Sequence, residues 1–120
     1  MKSVNKVLLL GHVGAIESKT LSDDTVVTNF SLATNERWTG KDNEKHESVE
    51  WHRCEAWGKL GELVGQFLKK GSAVHVEGRL KTKKWTDDLG ADHYTTSVRV
   101  DEFSALDGRS EPAAKLAPAA

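Results

Sequence analysis

From Val26 to Thr34 the chain alternates with a period of two. Val26, Thr28, Phe30, Leu32 and Thr34 fall on one parity, which is the pattern of a strand with one face against a core. Carried forward, that parity takes in Glu36 and Trp38. Upstream, "VNKVLLLGHVG" from Val4 to Gly14 contains a continuous apolar run and predicts a buried strand, with Gly11 and Gly14 at a bend or bulge. A polar turn with Asp23 and Asp24 at its tip separates the two. The stretch "TGKDNEKHES", Thr39 to Ser48, has almost no apolar residue and predicts an exposed, mobile hairpin loop.

The next segment, "SVEWHRCEAW", places Val49, Trp51, Arg53, Glu55 and Trp57 on one parity and Glu50, His52, Cys54 and Ala56 on the other. The smaller, less charged His52, Cys54 and Ala56 suit the packed side. In "KLGELVGQFLKKG", Leu60, Leu63, Val64, Phe67 and Leu68 follow helical spacing, with Lys69, Lys70 and Gly71 as a favourable C-terminus. Two strands follow, "AVHVEGRLKTKKW" and, after the turn "TDDLGAD", "HYTTSVRVDEF". The former puts Ala73, His75, Glu77, Arg79, Lys81, Lys83 and Trp85 on one parity, with Val74, Val76, Gly78, Leu80 and Thr82 on the other. From Ser104 onward Ala, Pro and scattered charges show no periodicity. This predicts one domain over residues 1–103 and a short, mostly disordered tail over 104–120. Three strands, one helix and two strands is the order of an all-β, five-stranded Greek-key barrel, the OB-fold, which binds oligonucleotides and oligosaccharides.

A chain of 120 residues can bury such a core without metal or disulfide. The single cysteine, Cys54, can form neither an intramolecular disulfide nor a CxxC site, which fits a small buried residue in a reducing compartment. "VLLLG" is too short for a signal sequence or a membrane span, so a cytoplasmic protein without membrane association is expected. The formal net charge is −1, but it is unevenly spread. Seven basic residues (Lys59, Lys69, Lys70, Arg79, Lys81, Lys83, Lys84) stand against Glu62 and Glu77 between Lys59 and Trp85. Because binding follows the local field, a polyanion remains a suitable ligand.

Catalytic chemistry has little to stand on. His12, His46, His52, His75 and His93 form no metal-ligand spacing, no glycine-rich phosphate loop is present, and Asp87 with Asp88 suits a turn better than an acid–base pair. No enzyme activity, metal or cofactor is expected. The four tryptophans say more. Burying the Trp51 and Trp57 parity would bury Arg53 and Glu55, and burying the Trp85 parity would bury Arg79, Lys81 and Lys83. An unpaired buried charge is costly, so these indoles should be partly open. Exposed aromatics among cations suit single-stranded nucleic acid: bases stack at about 1–3 kcal/mol each while lysines follow the phosphates. A neutral glycan, the physical rival, needs no such cation row. For single lysines such as Lys81, a solvated face that guards against aggregation is the plainer reading.

Several blocks, "VNKVLLLGHVG", "FSLATNERW", "EWHRCEAWGKLGELVGQFLKKGSAVHVEGRL" and "KTKKWTDDLGADHYTTSVRVDEF", resemble in order and spacing the bacterial-type single-stranded DNA-binding protein family over roughly residues 1–103. The resemblance implies an OB-fold subunit that assembles as a homotetramer and coats single-stranded DNA with little sequence preference in replication, recombination and repair. Trp38, Trp51 and Trp85 match the family's stacking tryptophans, and Trp57 stands where the family usually has a stacking phenylalanine. Lys59, Lys70 and Lys84 match phosphate contacts, with Arg79, Lys81 and Lys83 as helpers, and His52 matches a subunit-interface histidine. His12 replaces a frequent asparagine. The family's acidic tip ending in Pro-Phe is absent from "KLAPAA", so either recruitment of replication and repair proteins through such a tip is missing or the sequence stops short of it. The alternative is a dimeric accessory OB-fold protein that binds single-stranded DNA or RNA in replication restart. An enzyme acting on nucleic acid is the rival from another class.

Overall fold

Alternation and turn chemistry together account for the sheet. In the computed structural model, which describes residues 1–106, the strands are β1 (Val7–Thr20), β2 (Val26–Thr39), β3 (Lys45–Trp57), β4 (Ala73–Thr86) and β5 (Asp92–Ala105). Helix α1 (Lys59–Phe67) lies between β3 and β4 in the chain. The order β1-β2-β3-β5-β4 closes into a barrel because β4 pairs back onto β1, from Val7 opposite Gly78 to His12 opposite Ala73. Only β3 and β5 run parallel, where Cys54 faces Val98 and Glu55 faces Arg99. This is the expected OB-fold.

The three hairpins turn on one device. In 21–25, 40–44 and 87–91 the first amide donates to the fifth carbonyl at 2.8, 2.9 and 3.0 Å, and the fourth amide donates back to the first carbonyl. The fourth residues are Asp24, Asn43 and Gly90, with φ of 68°, 66° and 86°. These residue types adopt that left-handed region at least cost. The tightness of the second turn shortens the expected Thr39–Ser48 loop to 40–44, since β2 and β3 stay paired out to Thr39 opposite Lys45. Polarity there marks a ribbon wet on both faces, not a missing ladder.

The inward parities are as expected: Phe30, Leu32, Cys54, Ala56, Val74 and Val76 are buried, joined by Val98, Val100 and Phe103 of β5. Helix α1 packs Val64 and the following Leu68 into this core, with Leu60, Leu63 and Phe67 against it. Its approach is close. A Cβ on Gly61 would strike the carbonyls of Ala56 and Val26, and Thr28 Oγ1 donates to the Gly61 carbonyl at 2.7 Å.

Three boundaries differ from the sequence reading. The helix ends at Phe67 because Leu68 turns extended and buried, leaving Lys69, Lys70 and Gly71 in a loop that the Gly71 amide ties to the Val13 carbonyl at 2.8 Å. The first strand begins at Val7 and runs to Thr20, with the expected bulge between Val13 and Ile16. Its apolar run is two-faced: Val7 and Leu9 pack inward, while Leu8 and Leu10 remain 59% and 60% exposed. At the other end, β5 continues through Ser104 and buried Ala105, so the domain passes the boundary expected at 103. The rest of the tail, 107–120, lies outside the described residues.

Burial pushes the Cys54 thiol up to about 12. Iodoacetamide at pH 8 should therefore leave the folded protein unlabelled and react once urea unfolds it; rapid labelling of the folded protein would contradict the closed barrel. At Gly78 a Cβ would collide with the Arg99 carbonyl across the β4–β5 ladder. Gly78→Ala should cost about 1–3 kcal/mol, read as a lower urea midpoint.

Candidate nucleic-acid interface

Two hairpins outgrow the barrel. Beyond Thr34 on β2, before His52 on β3 and beyond Gly78 on β4, nearly every side chain is exposed, because the sequence supplies too few apolar residues to continue a core. The β2–β3 arm carries Trp38, 47% exposed, and the β4–β5 arm carries Trp85, 50% exposed. Each indole lies opposite a histidine in the ladder. Trp38 stacks on His46 with ring centroids 5.5 Å apart and planes inclined by 23°; Trp85 stacks on His93 at 4.4 Å and 21°. Trp85 Nε1 also donates to Thr95 Oγ1 at 3.1 Å.

Trp51, 58% exposed, sits on the outer face of β3 opposite Ala33. Its ring reaches across the sheet to β1, where a Cβ on Gly14 would run into it. The bulge glycine thus supplies the seat of the indole. A cleft of about 680 Å³ opens on the neighbouring face, lined by Ala15, Asn29, Ser31, Arg53 and Glu55 among others, and a smaller one of about 220 Å³ joins Trp51 and Arg53 to Leu80 and Thr96. The outer face of β3 is therefore continuous with the β4–β5 arm.

Trp57 is held differently. It is half-buried, its Nε1 donates to Glu55 Oε1 at 3.1 Å, and the Arg99 guanidinium and Lys83 ammonium lie 4.7 and 5.7 Å from its ring. Glu55 binds Lys83 at 3.3 Å and faces Arg99 Nε at 3.7 Å, with Ser97 Oγ donating at 3.4 Å. Arg99 Nε is buried without a hydrogen bond, so charge attraction to Glu55 is its compensation. Burial alone would raise the Glu55 pKa; the hydrogen bond from Trp57 and the charges of Lys83 and Arg99 outweigh it and hold the carboxyl below the usual range.

The cations divide between surfaces. Arg79, Lys81 and Lys83 alternate on the parity of Trp85, and Arg79 pairs with Asp101 at 3.3 Å. Lys84 lies on the other parity, opposite Tyr94, and pairs with Asp92 at 3.4 Å. Lys59 is exposed in the first turn of α1 and reaches Glu62 at 3.8 Å, while Lys70 is exposed in the loop after the helix. His52 is half-buried on the inward parity, with Nε2 2.9 Å from Thr34 Oγ1. Among the described residues no three His, Cys, Asp or Glu side chains gather as a metal site would require, and no helix is long and apolar enough to cross a membrane.

Sequence reasoning passed over Arg99, His46 and His93. Arg99 has no local motif, since it meets Trp57 only through the β3–β5 crossover. The two histidines did leave a signal: each stands as far after its turn as its tryptophan stands before it, which a five-residue turn converts into cross-strand contact.

A closed five-stranded barrel with open indoles and cations on its outer face and arms is an OB-fold of the oligonucleotide-binding kind. The chain belongs to the single-strand binding protein family, whose sequence model matches residues 4–106. It is similar to the Plasmodium falciparum SSB in a structure of its complex with ssDNA: 33% identity and a TM-score of 0.81 over 89% of this chain and 98% of that one. It is also similar to a deletion mutant of the single-stranded DNA binding protein from Thermus aquaticus, with 27% identity and a TM-score of 0.76 over 89% of this chain and 52% of that one.

The Glu55 cluster should be visible in acid. A carboxyl with a lowered folded pKa stabilises the fold above its unfolded pKa, and that contribution is lost as pH falls through the folded value. Glu55→Gln should be less stable than the parent at pH 7 by about 1–2 kcal/mol, with the gap closing below pH 4. A gap of equal size at both pH values would show that the charge is not what matters.

Proposed function

We propose that the protein coats single-stranded DNA with little sequence preference, without catalysis, and serves replication, recombination and repair in that way. The observation that carries this reading is the set of half-open indoles, Trp38, Trp51 and Trp85, placed beside cationic strand faces on a family-typical barrel. Bases stack on these rings, and Lys59, Lys70, Arg79, Lys81, Lys83 and Lys84 meet phosphates. Trp57 contributes through the ring surface that Arg99 and Lys83 leave open, and it holds those two cations in place. Selectivity for the unpaired strand stabilises that form by mass action, which removes secondary structure. The ssDNA in the Plasmodium falciparum complex supports the same ligand class.

Titration with oligo(dT) should quench tryptophan fluorescence, with affinity falling as salt rises at a log–log slope near −0.7 per phosphate neutralised. Trp51→Ala with Trp85→Ala should weaken binding by a few kcal/mol, at about 1–3 kcal/mol per lost stack, and leave the fold intact. Unchanged affinity would overturn the stacking assignment. Labelled DNA incubated with magnesium should stay uncut.

The uncovered Leu8 and Leu10 on β1 support assembly, since a protomer that stayed alone would keep this apolar pair in water. In this reading the working form is a homotetramer and His52 lies at a subunit contact. Sedimentation equilibrium should give four protomers for the parent and a smaller species for Leu8→Ser with Leu10→Ser; two protomers for the parent would favour the dimeric accessory protein instead.

A further inference from the structure

The two arms repeat one constellation that the stacking reading leaves unused. On the β2–β3 arm the turn carboxylate of Asp42 accepts the Glu44 amide at 3.0 Å and meets His46 Nε2 at 3.3 Å through the same oxygen, and His46 lies flat against Trp38. On the β4–β5 arm Asp87 Oδ1 accepts the Leu89 and Ala91 amides, both at 2.9 Å, Oδ2 meets His93 Nε2 at 2.7 Å, and His93 lies flat against Trp85. The aspartates occupy different places in their turns, so the repeat is not a by-product of one loop shape.

We propose that His46 and His93 are positioning residues: each braces the rear of a stacking tryptophan, Trp38 or Trp85, and, through its turn aspartate, makes binding of single-stranded DNA strengthen on acidification. The inference rests on the stacking reading of those two indoles. A near-parallel ring against one face leaves about half of each indole open, matching the 47% and 50% exposure, and offers the other face to a base. An indole held in this posture loses less side-chain freedom on binding.

Charge acts on binding independently of this bracing. Hydrogen bonds hold both carboxyls below the usual range, that of Asp87 chiefly through His93 and then Ala91, that of Asp42 chiefly through Glu44 and then His46. Both aspartates are thus ionised at neutral and mildly acidic pH. With neutral imidazole each pair carries −1 beside a base-stacking surface; with imidazolium it carries zero. On the parity of the rings the neighbouring charges are Glu36 on the β2–β3 arm, with Glu44 in its turn, and Lys83, held by Glu55 at 3.3 Å, on the β4–β5 arm; the opposite parity carries Arg37 with Glu47 at 3.7 Å, Lys45, and Lys84 with Asp92 at 3.4 Å. Phosphates approaching the arms therefore favour the protonated pairs, and binding takes up protons.

The test uses oligo(dT), whose base has no group titrating in this range, with the full chain at pH 5.5 and 8.0 and constant ionic strength. The parent should bind roughly 3- to 10-fold more tightly at pH 5.5. The double variant H46F/H93F, which keeps a ring behind each indole, should lose most of that gain, and H46A/H93A should bind more weakly than H46F/H93F at pH 8.0. Without DNA, the parent's tryptophan fluorescence should fall on acidification as imidazolium quenches the stacked indoles, and that of H46F/H93F should not. Equal pH ratios in the parent and H46F/H93F overturn the proton linkage, and equal affinities of H46F/H93F and H46A/H93A at pH 8.0 overturn the bracing, while quenching by oligo(dT) in either case leaves the stacking reading standing. A parent that fails to bind oligo(dT) at all removes both.

Discussion

Each strand of this barrel has one face to give to the core, and that limit shapes the rest of the molecule. The ladder closes from β4 back to β1, so within the barrel one parity of every strand turns inward to Val76, Leu32 or Cys54 and the other faces out. Outward positions must then hold groups that tolerate water or that find charge partners on the surface. Trp51, Arg53, Glu55 and Trp57 are such a set, and the apolar bulk of the two indoles is kept out of the core by the charges that share their parity. The same limit operates on β1, where Leu8 and Leu10 satisfy it only if something covers them.

Where the barrel ends, a second consequence follows. The β2–β3 and β4–β5 ladders continue beyond the last inward residues as two-stranded ribbons, and such ribbons gain little from burial. Their cohesion comes from turns that place Asn43 and Gly90 in the left-handed region and from cross-strand pairs such as Trp85 on His93. Trp38 and Trp85 each brace their own hairpin, and under the stacking proposal the same contact would serve local stability and binding together.

Much of this was legible in the sequence because it depends on period and sign. Alternation on β2, β3 and β4 identified the inward residues, and the impossibility of burying Arg53 or Lys83 identified the open indoles. The boundaries were less legible. Leu8 and Leu10 read as buried because periodicity cannot tell a two-sided core strand from one whose outer face awaits a partner. The polar run from Thr39 read as loop because composition reports wetness and not hydrogen bonding. Arg99 could not be found at all, since its partners Glu55 and Trp57 lie more than forty residues away in sequence and meet it only after the crossover.

The near-neutral net charge takes on meaning once the cations are followed to their partners. Lys59, Arg79, Lys83 and Lys84 each rest against a carboxylate, whereas Lys70 and Lys81 have no such partner among the described residues. The exposed pairs of Lys59, Arg79 and Lys84 contribute about 0–1 kcal/mol each, so a phosphate can replace their carboxylates at small cost, whereas taking Lys83 from the half-buried Glu55 costs more. A carboxylate freed in the exchange takes up a cation and offsets one released from the strand, so the salt dependence of binding should be shallower than the number of basic residues implies. Under the proposed stacking on Trp38, Trp51 and Trp85, those contacts would carry a larger share of the affinity, without regard to sequence, because every base has a flat face. In that proposal a surface of matched charges and open indoles would disfavour duplex DNA, whose bases are already stacked on one another, and leave the unpaired strand a full set of contacts.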